Sequence, residues 1–275
     1  MKRLLLYVAI GSLALITAGV AYLFFFVPGV PVLNYHEVNN QSHVLLAISS
    51  QEFDAQMSYL AKAGYNSITP DQLLDYLQYG KPLPSNPVLI TFDDGYEDNY
   101  QEAYPILKKY NFTATIFLIT DFVDHNSQYL TWQQIKEMAG SGIQFQSHTA
   151  THIMLTKASD SEVLAQLTRS RKAIEQHLQK KVDYLAYPGG FYNNQVIELT
   201  KQTGYRAAFT INLGRDRTNS NFYTLNRIPV FELPHTFFHF WLRLKLTRLW
   251  NSLQTLKILL TNCGASRLSD LIYIP

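Results

Sequence analysis

Pro87-Val88-Leu89-Ile90-Thr91-Phe92-Asp93-Asp94-Gly95 reads as a buried strand that runs directly into two carboxylates and a glycine. Val, Ile, Thr and Phe fit a pleated, packed surface, and a short apolar run bounded by turn residues is the pattern of a strand covered on both faces. Pro82 and Pro84 keep the segment before it in a loop. On the C-terminal side the spacing predicts a helix over Tyr100–Tyr110 despite Pro105, and then a strand over Thr113–Ile119. A helix over Trp132–Ala139, stopped by Ser141-Gly142, precedes a strand over Ile143–Gln146. The long amphipathic stretch Asp160–Leu178, a strand over Asp183–Tyr187, a helix over Asn194–Thr203 and a strand over Ala207–Ile211 follow. On the N-terminal side, Val30–His36 is a strand, and Phe53, Met57, Leu60 and Ala61 mark a helix over Ser50–Gly64. Asp71–Tyr79 is a second helix. Strand and helix therefore alternate from about Val32 to Val230, which predicts an α/β fold with a mainly parallel sheet and helices outside it. Polar residues gather repeatedly at the C-terminal ends of the strands, where barrel and open α/β enzymes keep their chemistry.

The remaining chain divides into an entry segment and a tail. Leu4 to Val27 holds no charged residue, and roughly 20 apolar residues suffice for a helix to cross a bilayer. Lys2 and Arg3 precede it, which favours a cytoplasmic N-terminus and an exported body. A cleaved signal peptide would have an apolar core of only about 7–15 residues. The reading is a transmembrane anchor over residues 1–29, a catalytic domain over 30–232 and a tail over 233–275. In the tail, Leu242, Leu246, Leu249, Leu253, Leu256 and Leu260 form one stripe at helical spacing, with Arg243, Lys245, Arg248 and Lys257 off it. Such a helix lies on a membrane surface or packs on the domain or on a second copy, and periodicity does not separate these. The net charge of +2 among 275 residues gives no electrostatic reason to expect nucleic acid. The single cysteine, Cys263, excludes an intramolecular disulfide.

Two clusters carry chemistry. Asp93 and Asp94 end a buried strand, and buried carboxylates need compensation from a metal ion or a shared proton. A turn at Gly95 can aim both at one cavity, so that one ligates a metal and the other acts as a base. An Asp-Asp-Gly surface turn is the plainer alternative. His148-Thr149-Ala150-Thr151-His152 places two histidines at i and i+4, which on a helical turn face the same side. Two histidines and one aspartate leave an open position, the arrangement of catalytic zinc sites.

Thr-Phe-Asp-Asp-Gly followed by Ser-His-Thr-x-x-His resembles carbohydrate esterase family 4, the polysaccharide deacetylases with the NodB-homology domain. The resemblance covers roughly Val32 to Val230. It implies a distorted (β/α) barrel and hydrolysis of N-acetyl groups on glycans such as chitin, peptidoglycan or poly-N-acetylglucosamine. It further implies Asp93 as general base, and Asp94, His148 and His152 as ligands of a divalent metal, for which the donor set favours zinc while other divalent transition metals fit as well. Ala186-Tyr187-Pro188-Gly189-Gly190 stands where the family has Arg-x-Pro-x-Gly, so Tyr187, Pro188, Gly189 and Gly190 correspond to the substrate and oxyanion loop. Ala186 replaces the arginine that orients the base. Leu225-Asn226-Arg227 stands where the family has Leu-x-His, so the usual acid is missing, and Arg227 is expected to pair with Asp93 instead. His36, in Asn34-Tyr35-His36-Glu37, is the candidate replacement acid, and the Tyr-His pair resembles the poly-N-acetylglucosamine deacetylase branch. Trp132 and Phe191 are candidates to stack on sugar rings, with core packing as the alternative. The expected partners are an N-acetylated polysaccharide and membrane lipid. The rival reading is a catalytically weak, membrane-held glycan-binding protein of the same fold.

Overall fold

The computed structural model describes residues 29–42 and 44–264, with the isolated positions Tyr7, Gly11, Gly19 and Leu268. The anchor expected over residues 4–27 therefore lies almost wholly outside the described residues. Among the described residues no helix is long and apolar enough to cross a membrane.

Ten strands and seven α-helices follow one another along the described chain. The strands are β1 (Val32–Tyr35), β2 (Glu37–Val38), β3 (Ala47–Ile48), β4 (Asn66–Ser67), β5 (Pro87–Phe92), β6 (Thr115–Leu118), β7 (Gln144–Ser147), β8 (Tyr184–Ala186), β9 (Ala207–Leu213) and β10 (Leu225–Pro229). The helices are α1 (Ser50–Lys62), α2 (Pro70–Tyr79), α3 (Tyr104–Lys109), α4 (Trp132–Gly140), α5 (Asp160–Leu178), α6 (Asn194–Gln202) and α7 (Thr236–Asn262). The main sheet runs β1-β10-β9-β8-β7-β6-β5-β4, and β1 also pairs with β5. That second pairing closes a barrel of seven strands, with β4 attached outside the closure. Every pairing between these strands is parallel, as the strand–helix alternation requires.

Side chains alternate across the barrel wall. Leu33, Tyr35, Val88, Ile90, Phe92, Ile116, Leu118, Phe145 and Leu185 point outward into the apolar layer beneath the helices. Val32, Leu89, Phe117, Tyr184, Ala186, Ala207 and Phe209 fill the interior. Leu73, Leu74 and Leu77 of α2 join that inner cluster. Asp71, in the first turn of α2, accepts hydrogen bonds from Tyr184 Oη at 2.6 Å and Arg206 Nη1 at 3.0 Å. Both partners stand at the entrances of their strands, so α2 closes the floor and leaves the opposite end open. The α2 N-terminus is fixed by Thr69 and Gln72, which cap each other's backbone N–H groups.

The Tyr100–Tyr110 helix begins as a π-turn over Asn99–Ala103 that runs directly into α3, and Pro105, the second residue of α3, lies where the helical hydrogen bonding changes from one pattern to the other. β10 has no counterpart in the sequence reading, since five residues with a central Asn-Arg pair carry no strand pattern. The tail is helical, but its leucine stripe is not the face that meets the barrel. Phe240, Leu244 and Thr247 are buried, with Phe237 and Phe240 edge-on to Tyr59 of α1. Leu242 and Leu246 lie on the other side of α7 and are only half-buried. α7 is also broken at Leu246, whose φ of -111° and ψ of 21° are not helical.

Candidate active site

Thr91 and Asp93 are two residues apart on β5 and its exit, so both point into the barrel mouth. Arg227 enters from β10, two strands away, and is fully buried. Its guanidinium meets Asp93 in a fork, Nη1 to Oδ1 and Nη2 to Oδ2, both at 2.7 Å. Nε donates to the Thr210 carbonyl at 2.7 Å, and the Phe117 ring lies 5.9 Å below the guanidinium. Buried charges are tolerated only when paired and hydrogen-bonded in this way. Burial pushes the Asp93 carboxyl up, but the Arg227 charge and hydrogen bonds together with His148 outweigh it, holding Asp93 well below the ordinary carboxylate range. The sequence expectation that Arg227 pairs with Asp93 matches this geometry.

Asp94 turns the other way to reach a second set of groups. Its φ of 73° and that of Gly95, 79°, swing the chain after the strand, and the Gly95 N–H returns to the Asp93 carbonyl at 3.0 Å. A Cβ on Gly95 would stand 2.6 Å from Leu118 Cδ2, so glycine is required there for space as well as for conformation. Asp94 Oδ1 is buried, has no hydrogen-bond partner, and faces His148 Nε2 at 3.4 Å and His152 Nε2 at 3.5 Å. The ligand atoms of these three residues all lie within 4.8 Å of one another. His148 Nδ1–H donates to the Ala186 carbonyl at 2.8 Å. That bond fixes the ring and leaves Nε2 facing Asp94, the usual support for a metal-binding imidazole. An orphaned carboxylate oxygen between two imidazole nitrogens fits a divalent cation.

The two histidines do not lie on a helical turn, contrary to the i,i+4 reading. The segment after β7 is a loop in which Thr149 (φ 69°) and His152 (φ 59°) are both left-handed. Side chains satisfy its backbone: Ser147 Oγ accepts from Thr149 N–H, Thr149 Oγ1 from His152 N–H, and Gln166 Oε1 from Ala150 and Thr151 N–H. Ser and Thr compete in this way with backbone helical bonds, and the strain is of the kind that functional sites hold. Gln166, on α5, was invisible as a site residue because its partner loop is distant in sequence. Thr91, by contrast, was recoverable from the period of two that places it beneath Asp93.

The other expected residues are placed unequally. His36 directly follows β1 on the same rim, half-buried, with Nδ1 buried and unpartnered and its carbonyl held by Asn99 Nδ2 at 2.8 Å. Burial pushes its pKa down, against the pull of Asp93 and Asp94. Pro188, Gly189 and Gly190 form a tight turn at the end of β8, with both glycines left-handed. The backbone bonds of that turn come from the Gly190 and Phe191 N–H groups, not from Gly189. Tyr187 is not brought to the mouth: its ring points outward, and Oη donates to the Tyr223 carbonyl at 3.1 Å. Trp132 is largely buried and stacked on His177 with ring centroids 3.9 Å apart, whereas Phe191 is 52% exposed beside the Pro-Gly-Gly turn. A groove of about 670 Å³ lined by Glu37, Asn39, Tyr96, Asp98 and Gln128 opens on the same rim. Burial pushes the Asp98 carboxyl there up to about 6.

A family profile described as polysaccharide deacetylase matches residues 80–208, which contain both carboxylates, both histidines and the Pro-Gly-Gly turn. YxkH of Bacillus subtilis is 36% identical over 200 residues, covering 73% of this chain and 71% of that protein. A poly-beta-1,6-N-acetyl-D-glucosamine N-deacetylase of Staphylococcus aureus is 32% identical over 209 residues, covering 70% of this chain and 69% of that protein. Among solved structures, the Streptococcus pyogenes deacetylase PplD in complex with acetate superposes with a TM-score of 0.71 at 30% identity, over 74% of this chain and 93% of that one. IcaB from Ammonifex degensii superposes with a TM-score of 0.69 at 30% identity, over 78% and 97%. With the seven-stranded barrel and the convergence of Asp93, Asp94, His148 and His152 at its mouth, these similarities show that the chain belongs to the polysaccharide deacetylase family.

Proposed function

We propose that the protein hydrolyses the acetamide of an N-acetylated amino-sugar polymer of the poly-β-1,6-N-acetylglucosamine type, outside the cell, while held at the membrane by residues 4–27. The observation that carries the reading is the convergence of Asp94, His148 and His152 beside the Arg227-clamped Asp93. The polymer is suggested by relatives named for it, and by the Tyr35-His36 pair. Asp94, His148 and His152 would hold a divalent metal, zinc being favoured by two imidazoles and one carboxylate. Such an ion lowers the pKa of water and polarises a carbonyl.

The remaining steps belong to the protein. Asp93 accepts a proton from the attacking water, and Arg227 fixes the carboxylate in the orientation needed to do so. A carboxylate so paired is a weak base, suited to a water that a bound ion would acidify. His36 passes a proton to the nitrogen as the carbon–nitrogen bond breaks, and that proton is replaced by the one Asp93 takes from water, giving acetate and a free amine. The Gly189 N–H is available to the developing oxyanion, because the turn around it uses its neighbours instead.

Acetate release from β-1,6-linked N-acetylglucosamine oligomers, chitin oligomers and peptidoglycan fragments, with and without a chelator, tests the reading. Release from the β-1,6 oligomers that stops with chelator and returns with zinc is expected. Binding of these oligomers without acetate release under any metal condition would establish the glycan-binding alternative instead.

A further inference from the structure

The catalytic groups occupy the C-terminal ends of the strands, so the chain enters β1 at the opposite, floor end. Gly29, the first residue of the continuous described chain, is held there. Its carbonyl accepts from Arg215 Nη1 at 3.5 Å, and Arg215 Nη2 also donates to the Leu244 carbonyl of α7. Lys245 lies 5.7 Å from the centroid of the Tyr65 ring. Tyr65 immediately precedes β4, whose Asn66 pairs with Pro87, the first residue of β5. α7 therefore reaches the level of the floor at Leu244–Lys245, and its helical geometry breaks at the next residue, Leu246. Beyond the break the helix continues to Asn262, with Leu256, Ile258 and Leu259 46%, 54% and 55% exposed. No Asp or Glu occurs between Thr236 and Asn262, whereas Arg243, Lys245, Arg248 and Lys257 do.

We propose that α7 beyond Leu246 lies on an anionic lipid surface, so that the barrel floor faces the bilayer and the catalytic mouth faces away from it. The inference rests on the proposed anchor over residues 4–27. That charge-free segment reaches the domain at Gly29, which a single arginine ties to α7 two residues before the break. The residue at which that segment joins the domain and the start of the distal half of α7 thus lie at one place at the floor, so that one bilayer would accommodate both. Beyond Leu246 the helix carries Arg248 and Lys257 and no acid, a composition that suits anionic headgroups, whereas Arg243 is buried and Lys245 lies over the Tyr65 ring. A protein partner would account for the leucines but not for their position beside the anchor. The orientation keeps the mouth open to polymer in solution or in the matrix. The exposed Val44, Leu45 and Leu46 on the mouth side are the rival membrane contact.

Cys263, exposed just past the end of α7 and the one cysteine of the chain, is a built-in reporter. Full-length protein, labelled there with a fluorophore, is placed in phosphatidylcholine vesicles with and without phosphatidylglycerol. A second protein carries the label at the mouth, as Ser127→Cys in a Cys263→Ser background. The 263 label is expected to be quenched by nitroxide lipids and shielded from iodide, more so with phosphatidylglycerol, while the 127 label shows the reverse. Leu256→Ser, Ile258→Ser and Leu259→Ser together should release the 263 label to water without changing acetate release or pelleting with vesicles. A pelleted chain whose 263 label stays water-exposed overturns this inference alone. Lipid quenching at 127 assigns the membrane to the Val44–Leu46 loop and overturns it too. Excimer formation between pyrene-labelled copies at high lipid-to-protein ratio would mean that a second copy covers the leucines. A chain that remains in the supernatant overturns both this inference and the anchor.

Discussion

A fully buried guanidinium, that of Arg227, has to be matched group by group, and Asp93, Thr210 and Phe117 do so. Removing one member of such a pair leaves the other charge buried and unpaired, at a cost of about 3–5 kcal/mol, whereas replacing both can be nearly neutral. Arg227→Met should therefore lower unfolding free energy by that amount, and Arg227→Met with Asp93→Leu should recover most of it, as read by urea titration. Asp93→Asn should keep metal binding yet lose acetate release by roughly 10²–10⁴-fold, the usual worth of a positioned acid or base. Metal analysis alongside activity separates the two effects, and unchanged activity with metal bound would remove Asp93 from the mechanism. The sign of the pH effect follows from the pair. The folded Asp93 is held below its unfolded value, so its contribution is complete above about pH 4 and disappears as pH falls toward the folded value. Urea midpoints of the wild type should fall in that acid window, and Asp93→Asn combined with Arg227→Met should flatten the fall.

At the scale of elements, α7 is two things joined at Leu246. Its first half is part of the core, because Phe240 and Leu244 are 2% and 0% exposed. Leu244→Ala should cost about 2–5 kcal/mol, the range for emptying a packed leucine site. Leu256→Ala beyond the break should cost within about 0.5 kcal/mol, as an exposed substitution does. Equal effects at the two positions in thermal unfolding would mean that the distal half is packed as firmly as the proximal half. Helix α2 is a second case of an element doing work that its sequence does not advertise. Its leucines read as an ordinary amphipathic face, yet they plug the barrel floor, and Asp71 ties them to β8 and β9.

Across the whole molecule, a metal held by Asp94, His148 and His152 links loops after β5 and β7, and so couples metal binding to stability. At a metal concentration 100 times Kd the gain is about 2.7 kcal/mol, which for a domain of this size corresponds to roughly 5–10 °C in Tm. Burial pushes the His148 pKa down, but Asp93 and Asp94 outweigh it and raise the value above that of an ordinary imidazole. Protons then compete at Nε2 from above pH ~6.5 downward, so the zinc-induced Tm shift should shrink as pH falls through that range. In metal-free protein the same raised pKa works the other way: its stabilisation is full below the unfolded value and is lost as pH rises through the folded one. Differential scanning fluorimetry across pH, with zinc and with chelator, checks both signs, and a zinc shift independent of pH would exclude His148 as a ligand.

The sequence by itself determined the alternation of the longer strands and helices, since hydrophobic period and caps are local properties that a single chain displays, but not the short strands β2, β3, β4 and β10. It also singled out Asp93, Asp94, His148 and His152 as candidates, because unusual residue types at strand ends stand out against an apolar background. The Arg227–Asp93 pair was legible only as a substitution, an arginine where a histidine was expected. The rest required the closed barrel. β10 has too few residues to show a period, and it exists because its neighbours β1 and β9 supply its hydrogen bonds. The histidine loop took its shape from Gln166 and the serine and threonine hydroxyls, whose partners are set by how α5 crosses β7, not by the spacing of the two histidines. Which face of α7 is buried was decided by the groove formed by α1 and the wall of the barrel. An amphipathic stripe specifies that one side of a helix prefers an apolar neighbour, and only the tertiary structure specifies which neighbour is there.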